Sequence, residues 1–231
     1  MKIGEDSRLT DYRVKEWFML EQGRKEREKR STATSTKPVI TISRQYGAGG
    51  TQIAAKVAEK LGVDWQVWDR EIIEDMARSA QVRGQMIEAM DEKTRSWMNE
   101  MISSLLGVRF VETQAYHKHL AQVLLALAQQ GKKIIMGRGA NYVLPEALNV
   151  RLIGEEKFRI QCVARDEEIP YEDALKKVRR IDHDRADFTH NVFNRNIDDL
   201  SAYDIVLNTG NHGHEPVISA IVAATKEMFK L

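Results

Sequence analysis

The residues best suited to chemistry in this chain form one run, Ser43-Arg44-Gln45-Tyr46-Gly47-Ala48-Gly49-Gly50-Thr51. Glycines allow backbone angles that turn successive N–H groups inward, and a helix starting there adds partial positive charge where an anion would rest. Cradling of phosphate is the chemistry this favours. Three further groups could join it: Asp69-Arg70, Gly137-Arg138-Gly139, and Arg179, Asp182 and Arg185, which place an acid between two guanidiniums at i, i+3 and i+6. Arginine forks bind phosphate oxygens through paired hydrogen bonds, and an interposed carboxylate can orient them or accept from a sugar hydroxyl. A surface ladder of ion pairs explains that last spacing equally well. Gly47 to Gly50, taken alone, could be no more than a tight turn before a helix.

These groups need a frame. Val39-Ile40-Thr41-Ile42 are β-branched and predict a short buried strand feeding the loop, and from Thr51 to about Leu61 a helical pattern follows. Gln66-Val67-Trp68 predicts a second strand that delivers Asp69 and Arg70 at its C-terminal end, the rim where α/β sheets bind ligands; Asp69 would equally serve as a helix N-cap. Leu120, Val123, Leu124, Leu127 and Ala128 mark a helix within 112–130, closed by Gly131. Lys133-Ile134-Ile135-Met136 then predicts a buried strand running into Arg138. Val150 to Gly154 and Tyr203 to Asn208 read as two more strands. A helix with Arg159 and Arg165 lies between these two, and Val217, Ile218, Ile221, Val222 and Met228 make a closing one. Alternating strands and helices predict an α/β fold with a parallel sheet flanked by helices on both faces.

Residues 1–36 read as an N-terminal helical extension and linker, and 37–231 as the main domain. Val14, Trp17 and Phe18 form an apolar stripe that could cover the domain or a second copy of the chain, a possible homodimer. The segment EQGRKEREKR at 21–30 carries eight charges of mixed sign, suited to a solvated helix face or to a nucleic-acid-binding arm. Two helices are expected around 86–106, with Met86, Met90, Met98 and Met101 as packing residues. Thirty-five basic against 34 acidic residues leave a formal charge of +1, so any anion site must be local and nucleic acid is not an expected partner. The single cysteine, Cys162, excludes an intramolecular disulfide. With no run of about 18 apolar residues and no leader pattern, a soluble cytoplasmic protein without membrane contact is expected. The H-x-H pairs His117/His119 and His212/His214 lack metal-site spacing, Glu215 aside, and are read as structural or exposed.

Set against the strict phosphate-loop pattern G-x-x-x-x-G-K-[ST], the run has Arg44 at the first glycine and Gly50 at the lysine, while Gly49 and Thr51 match. As a set, ISRQYGAGGTQIA, WDREII, IIMGRG, DHDR and YDIVLNT resemble the cytidylate kinase-like family, a branch of the P-loop nucleoside monophosphate kinases, over about 39–225. The resemblance implies a three-layer α/β/α fold with a helical lid, and phosphoryl transfer from ATP with Mg²⁺ to CMP or another small phosphorylated acceptor. It implies that Gly47, Ala48, Gly49, Gly50 and Thr51 wrap the donor phosphates, with Thr51 placed like the hydroxyl that meets Mg²⁺. Asp69 and Arg70 would border the acceptor nucleotide and Arg138 would hold its phosphate. Arg179, Asp182 and Arg185 would belong to the lid. Two positions depart from true cytidylate kinases: Gly50 replaces the lysine, with Arg44 the nearest substitute, and Gly139 stands where they carry a base-reading aspartate. The missing lysine also motivates a second reading, a non-catalytic nucleotide-binding regulatory protein.

Overall fold

The computed structural model describes residues 10–21, 37–90, 92–106, 115–210 and 213–231. In chain order the elements are α1 (10–21), β1 (Val39–Arg44), α2 (Gly50–Leu61), β2 (Gln66–Trp68), α3 (Arg70–Arg78), α4 (Ala80–Glu88), α5 (Glu92–Leu106), α6 (Ala115–Ala128), β3 (Lys133–Met136), α7 (Ala140–Val143), β4 (Leu148–Ile153), α8 (Glu156–Asp166), α9 (Tyr171–Phe193), β5 (Ile205–Asn208) and α10 (His214–Phe229). These described residues divide into two compact units, one made of those in 10–37 and 68–133, the other of those in 38–67 and 134–231.

The second unit is built on the sheet. Its strand order is β2-β3-β1-β4-β5, so β1 is central and both of its edges are occupied. A strand covered on both faces should be apolar almost throughout, and Ile40 and Ile42 are fully buried. β1 runs parallel to β4, with Ile40 opposite Leu148, and β4 runs parallel to β5, with Val150 opposite Ile205. Ile53, Ala54 and Val57 of α2 and Val217, Ile218 and Ile221 of α10 join the same core. Each large aliphatic side chain so buried contributes about 1.5–3 kcal/mol. This rigid base carries the loops at the strand ends.

β4 starts two residues before the expected Val150, because Asn149 is a polar residue satisfied inside the sheet. Its Oδ1 accepts from Thr41 Oγ1 at 2.6 Å, and its Nδ2 donates to the Ala147 carbonyl at 3.0 Å. α9 continues past the charged stretch at 171–187 to Phe193, where Asn194 takes a left-handed conformation and ends it.

The first unit is helical. α6 is buried at seven of its positions between Leu120 and Leu127, as a central helix must be; α3, α4 and α5 pack on it. Met86, Met90 and Met98 are buried, while Met101 is partly exposed. α1 belongs to this unit: Val14 and Trp17 are buried, Thr10 Oγ1 donates to Asp75 at 3.2 Å, and Gln130 Nε2 donates to the Trp17 carbonyl at 2.9 Å. The chain's own helices therefore cover much of the apolar stripe. The run at 22–30 and the linker to residue 36 lie outside the described residues. Among the described residues no helix is long and apolar enough to cross a membrane.

Candidate functional site

At the end of β1 the chain turns through Gly47 and Gly49, both at positive φ, and enters α2 with Gly49 as N-cap and no side-chain cap. Residues 44–52 line a cavity of about 450 Å³, whose other walls include Phe158, Cys162, Arg165, Glu167, Arg185 and His214. A helix N-terminus presented on a glycine turn beside arginines is suited to an anion.

The glycines of this loop make room for specific neighbours. A Cβ on Gly50 would lie 2.9 Å from Arg44 Cγ, and one on Gly137 would collide with Arg44 Nη1. Arg44 therefore runs across Gly50 to the turn after β3, taking the space that a side chain at position 50 would need. A Cβ on Gly49 would strike the His214 imidazole, and one on Gly47 would sit 2.5 Å from the Arg159 carbonyl oxygen.

α8 and α9 clamp the loop from one side. Asp182 accepts from the Tyr46 backbone N–H at 2.7 Å through one oxygen and from Arg159 Nη1 at 2.5 Å through the other. Arg159 is buried and also donates to the carbonyls of Tyr46 and Gly154, each at 2.9 Å. Arg185 Nη1 donates to the Arg44 carbonyl at 2.8 Å, and its guanidinium lies 5.5 Å from the centre of the Tyr46 ring. The Tyr46 hydroxyl donates to Glu167, which Lys177 also contacts. Burial, reinforced by the Glu167 carboxylate, pushes the Tyr46 phenol above its ordinary value. Burial alone would raise Glu167, but the hydrogen bonds from Lys177 and Tyr46 outweigh it and hold the carboxyl low.

The turn after β3 has the same backbone character. Gly137, Arg138 and Gly139 have φ of 75°, 55° and 64°. The Arg138 guanidinium carbon lies over the Phe188 ring, 4.5 Å from its centre. A Cβ on Gly139 would collide with Phe193, whose ring packs 5.3 Å from Tyr142 and 6.3 Å from Phe188. Burial pushes the Tyr142 phenol up to about 12.

Of the residues singled out in the sequence, Arg44, Gly47 to Thr51 and Arg185 line one cavity, with Asp182 bonded to its loop. Arg138 lies in the turn that Arg44 reaches. Arg179 faces elsewhere: its Nε and Nη2 donate to Glu156 at 2.9 and 3.0 Å on the exposed side of α9. Asp69 and Arg70 belong to the helical unit, where Asp69 caps α3 by accepting from Ile72 N at 3.4 Å and Arg70 pairs with Glu71 at 2.7 Å. Tyr46, Arg159, Phe188, Phe193 and His214 were not singled out as site residues. Only Tyr46 has a signal in sequence, its place inside the loop; His212, the partner of His214 in the H-x-H pair, lies outside the described residues.

A glycine turn at a helix N-terminus with Arg44 and Arg185 at the cavity wall is a donor set suited to phosphate oxygens. Thr51 supplies one hydroxyl at its wall, and among the described residues there is no cluster of three His, Cys, Asp or Glu that could hold a metal alone. Such a donor set suits Mg²⁺ carried in on phosphate oxygens and their waters, rather than a cage made by the protein.

A model of the cytidylate kinase-like family matches residues 39–211. The cytidylate kinase of Pyrococcus horikoshii is 27% identical over 81% of this chain and 88% of its own length. That of Methanothrix thermoacetophila is 26% identical over 82% of this chain and 99% of its own. The crystal structure of an uncharacterised protein from Eubacterium ventriosum superposes with a TM-score of 0.64 at 21% identity, covering 83% of this chain and 99% of that one, and shows the same α/β fold.

Proposed function

The chain belongs to the cytidylate kinase-like family, and from that premise we propose that it is a nucleotide kinase moving a phosphoryl group from ATP to CMP or another small phosphate monoester. The observation that carries this reading is the course of Arg44 across Gly50. The loop has no lysine at position 50, and Arg44 enters from β1 with its stem over Gly50 and its guanidinium at the turn after β3, a cation between the two turns.

In this reading the amides of Gly47 to Thr51 bind the donor phosphates, and Arg44 stabilises the charge that develops between donor and acceptor. Arg138, at the turn Arg44 reaches, receives the acceptor phosphate. Asp182 and Arg159 hold Tyr46, and Arg185 holds the Arg44 carbonyl, so the loop keeps its shape without reorganisation during transfer. Mg²⁺ bound to ATP would bring positive charge to the phosphates beside Thr51.

The test is diphosphate formation from a panel of nucleoside monophosphates with Mg-ATP. Arg44→Ala should lower turnover on the accepted substrate by about a hundredfold, and adding Gly50→Lys to that variant should restore part of it. Unchanged turnover in Arg44→Ala would remove the reading. The absence of lysine at position 50 also favours a regulatory nucleotide-binding protein. That reading predicts that ATP raises the melting temperature while no member of the panel is phosphorylated.

A further inference from the structure

The guanidinium of Arg138 has an aromatic ring beneath it and a strained backbone behind it. Three successive residues, 137 to 139, are left-handed. For a non-glycine residue this conformation costs on the order of 1 kcal/mol and persists only where neighbours impose it. Phe193 fills the space beside Gly139 and packs against both Tyr142 and Phe188. Phe188 lies 4.5 Å from the guanidinium carbon.

A cation held over an aromatic face is attracted to it and loses freedom there, while the N–H donors of a guanidinium lie in its own plane. A phosphate monoester held by two parallel hydrogen bonds must approach in that same plane. We propose that Phe188 is a positioning residue for Arg138, restraining the guanidinium so that its fork meets the phosphate monoester of the acceptor. The inference rests on the reading of Arg138 as the residue that holds that phosphate. It also gives α9 a second role, since Asp182 and Arg185 hold the glycine loop and Phe188, further along the same helix, orients the acceptor arginine.

The experiment compares Phe188→Leu, Phe188→Tyr and Arg138→Ala with the wild type. CMP, AMP and ribose 5-phosphate serve as monoester probes, both in Mg-ATP assays and in NMR titrations of the arginine side-chain resonances. In the wild type the Arg138 side-chain protons should be displaced upfield by the ring and should respond to monoester. Phe188→Leu should abolish the displacement and weaken the response, raising the acceptor KM about fivefold with kcat and donor KM within about twofold. Phe188→Tyr, which keeps the ring, should restore both. If Arg138→Ala abolishes transfer while Phe188→Leu keeps the wild-type acceptor KM, the positioning role is overturned and the acceptor assignment stands. If Phe188→Tyr is as impaired as Phe188→Leu, the residue only fills space and the proposal fails. Wild-type turnover in Arg138→Ala, or no response of Arg138 to any of the three probes, overturns the acceptor assignment together with the inference.

Discussion

The turns after β1 and β3 begin alike and end as different chemical environments. Each leaves a buried parallel strand through positive-φ glycines, and each enters a helix whose N-cap is a left-handed glycine without a side-chain cap, Gly49 at φ 70° and Gly139 at φ 64°. After β1 the space beside the glycines is taken by an arginine, an imidazole and a carbonyl oxygen, and the helix runs for 12 residues. After β3 that space is taken by Phe193 and by the tip of Arg44, and the helix lasts four residues. In the proposed function the first, polar turn serves the several phosphate groups of the donor, and the second, with one arginine over an aromatic ring, serves the single phosphate of the acceptor. Equivalent backbone geometry thus acquires its chemistry from what packs against it.

The largest effect is expected at Arg138. Arg138→Ala should abolish transfer while leaving ATP affinity nearly intact, a separation that calorimetric titration beside a coupled assay will detect. Next in size are the glycines. Gly139→Ala forces a Cβ into Phe193 at positive φ and should cost about 1–3 kcal/mol in urea unfolding. Adding Phe193→Ala should return part of that, whereas a loss undiminished in the double variant would mean that the space beside Gly139 is not what requires glycine.

Asp182→Asn tests the clamp on the first turn. It leaves the buried Arg159 guanidinium without its carboxylate, and with Asp182 about a quarter exposed the loss should be on the order of 1–3 kcal/mol, accompanied by a raised donor KM. Arg179→Ala, on the exposed side of the same helix, should change turnover by less than about threefold. An effect as large as that of Asp182→Asn would bring Arg179 into the site.

The smallest effect concerns Glu167. Its carboxyl is held low in the folded chain, so its contribution is present above the ordinary carboxylate range and is lost as pH falls through the depressed value. The Tyr46 phenol is held high, so its contribution is present below the ordinary phenol range and is lost as pH rises through the elevated one. Glu167→Gln should remove about 1 kcal/mol or less between those limits and bring the ultraviolet titration of Tyr46 back toward the ordinary value. Identical melting profiles across pH would show that this contact adds nothing to the clamp.

Much of the fold was legible because it depends on local pattern. β-branched runs named β1 and β3, helical spacing named α6 and α10, and glycines after strands marked both turns. β4 begins at Leu148, two residues before the expected Val150, and the sheet satisfies the amide of the polar Asn149 internally. The site was half legible for the same reason: the loop is contiguous, but its clamp is assembled from residues more than a hundred positions away.

Propensity and periodicity act between neighbours in the chain, and they were enough to place an anion-suited glycine turn after a buried strand in a parallel α/β sheet. Packing between distant segments set the rest: the Arg44 stem lies over Gly50, Arg185 turns toward the loop while Arg179 turns toward Glu156, and Phe188 lies under Arg138. Those outcomes depend on which helix face meets which strand end, and contacts through space between distant segments leave no mark in the spacing of residues along one of them.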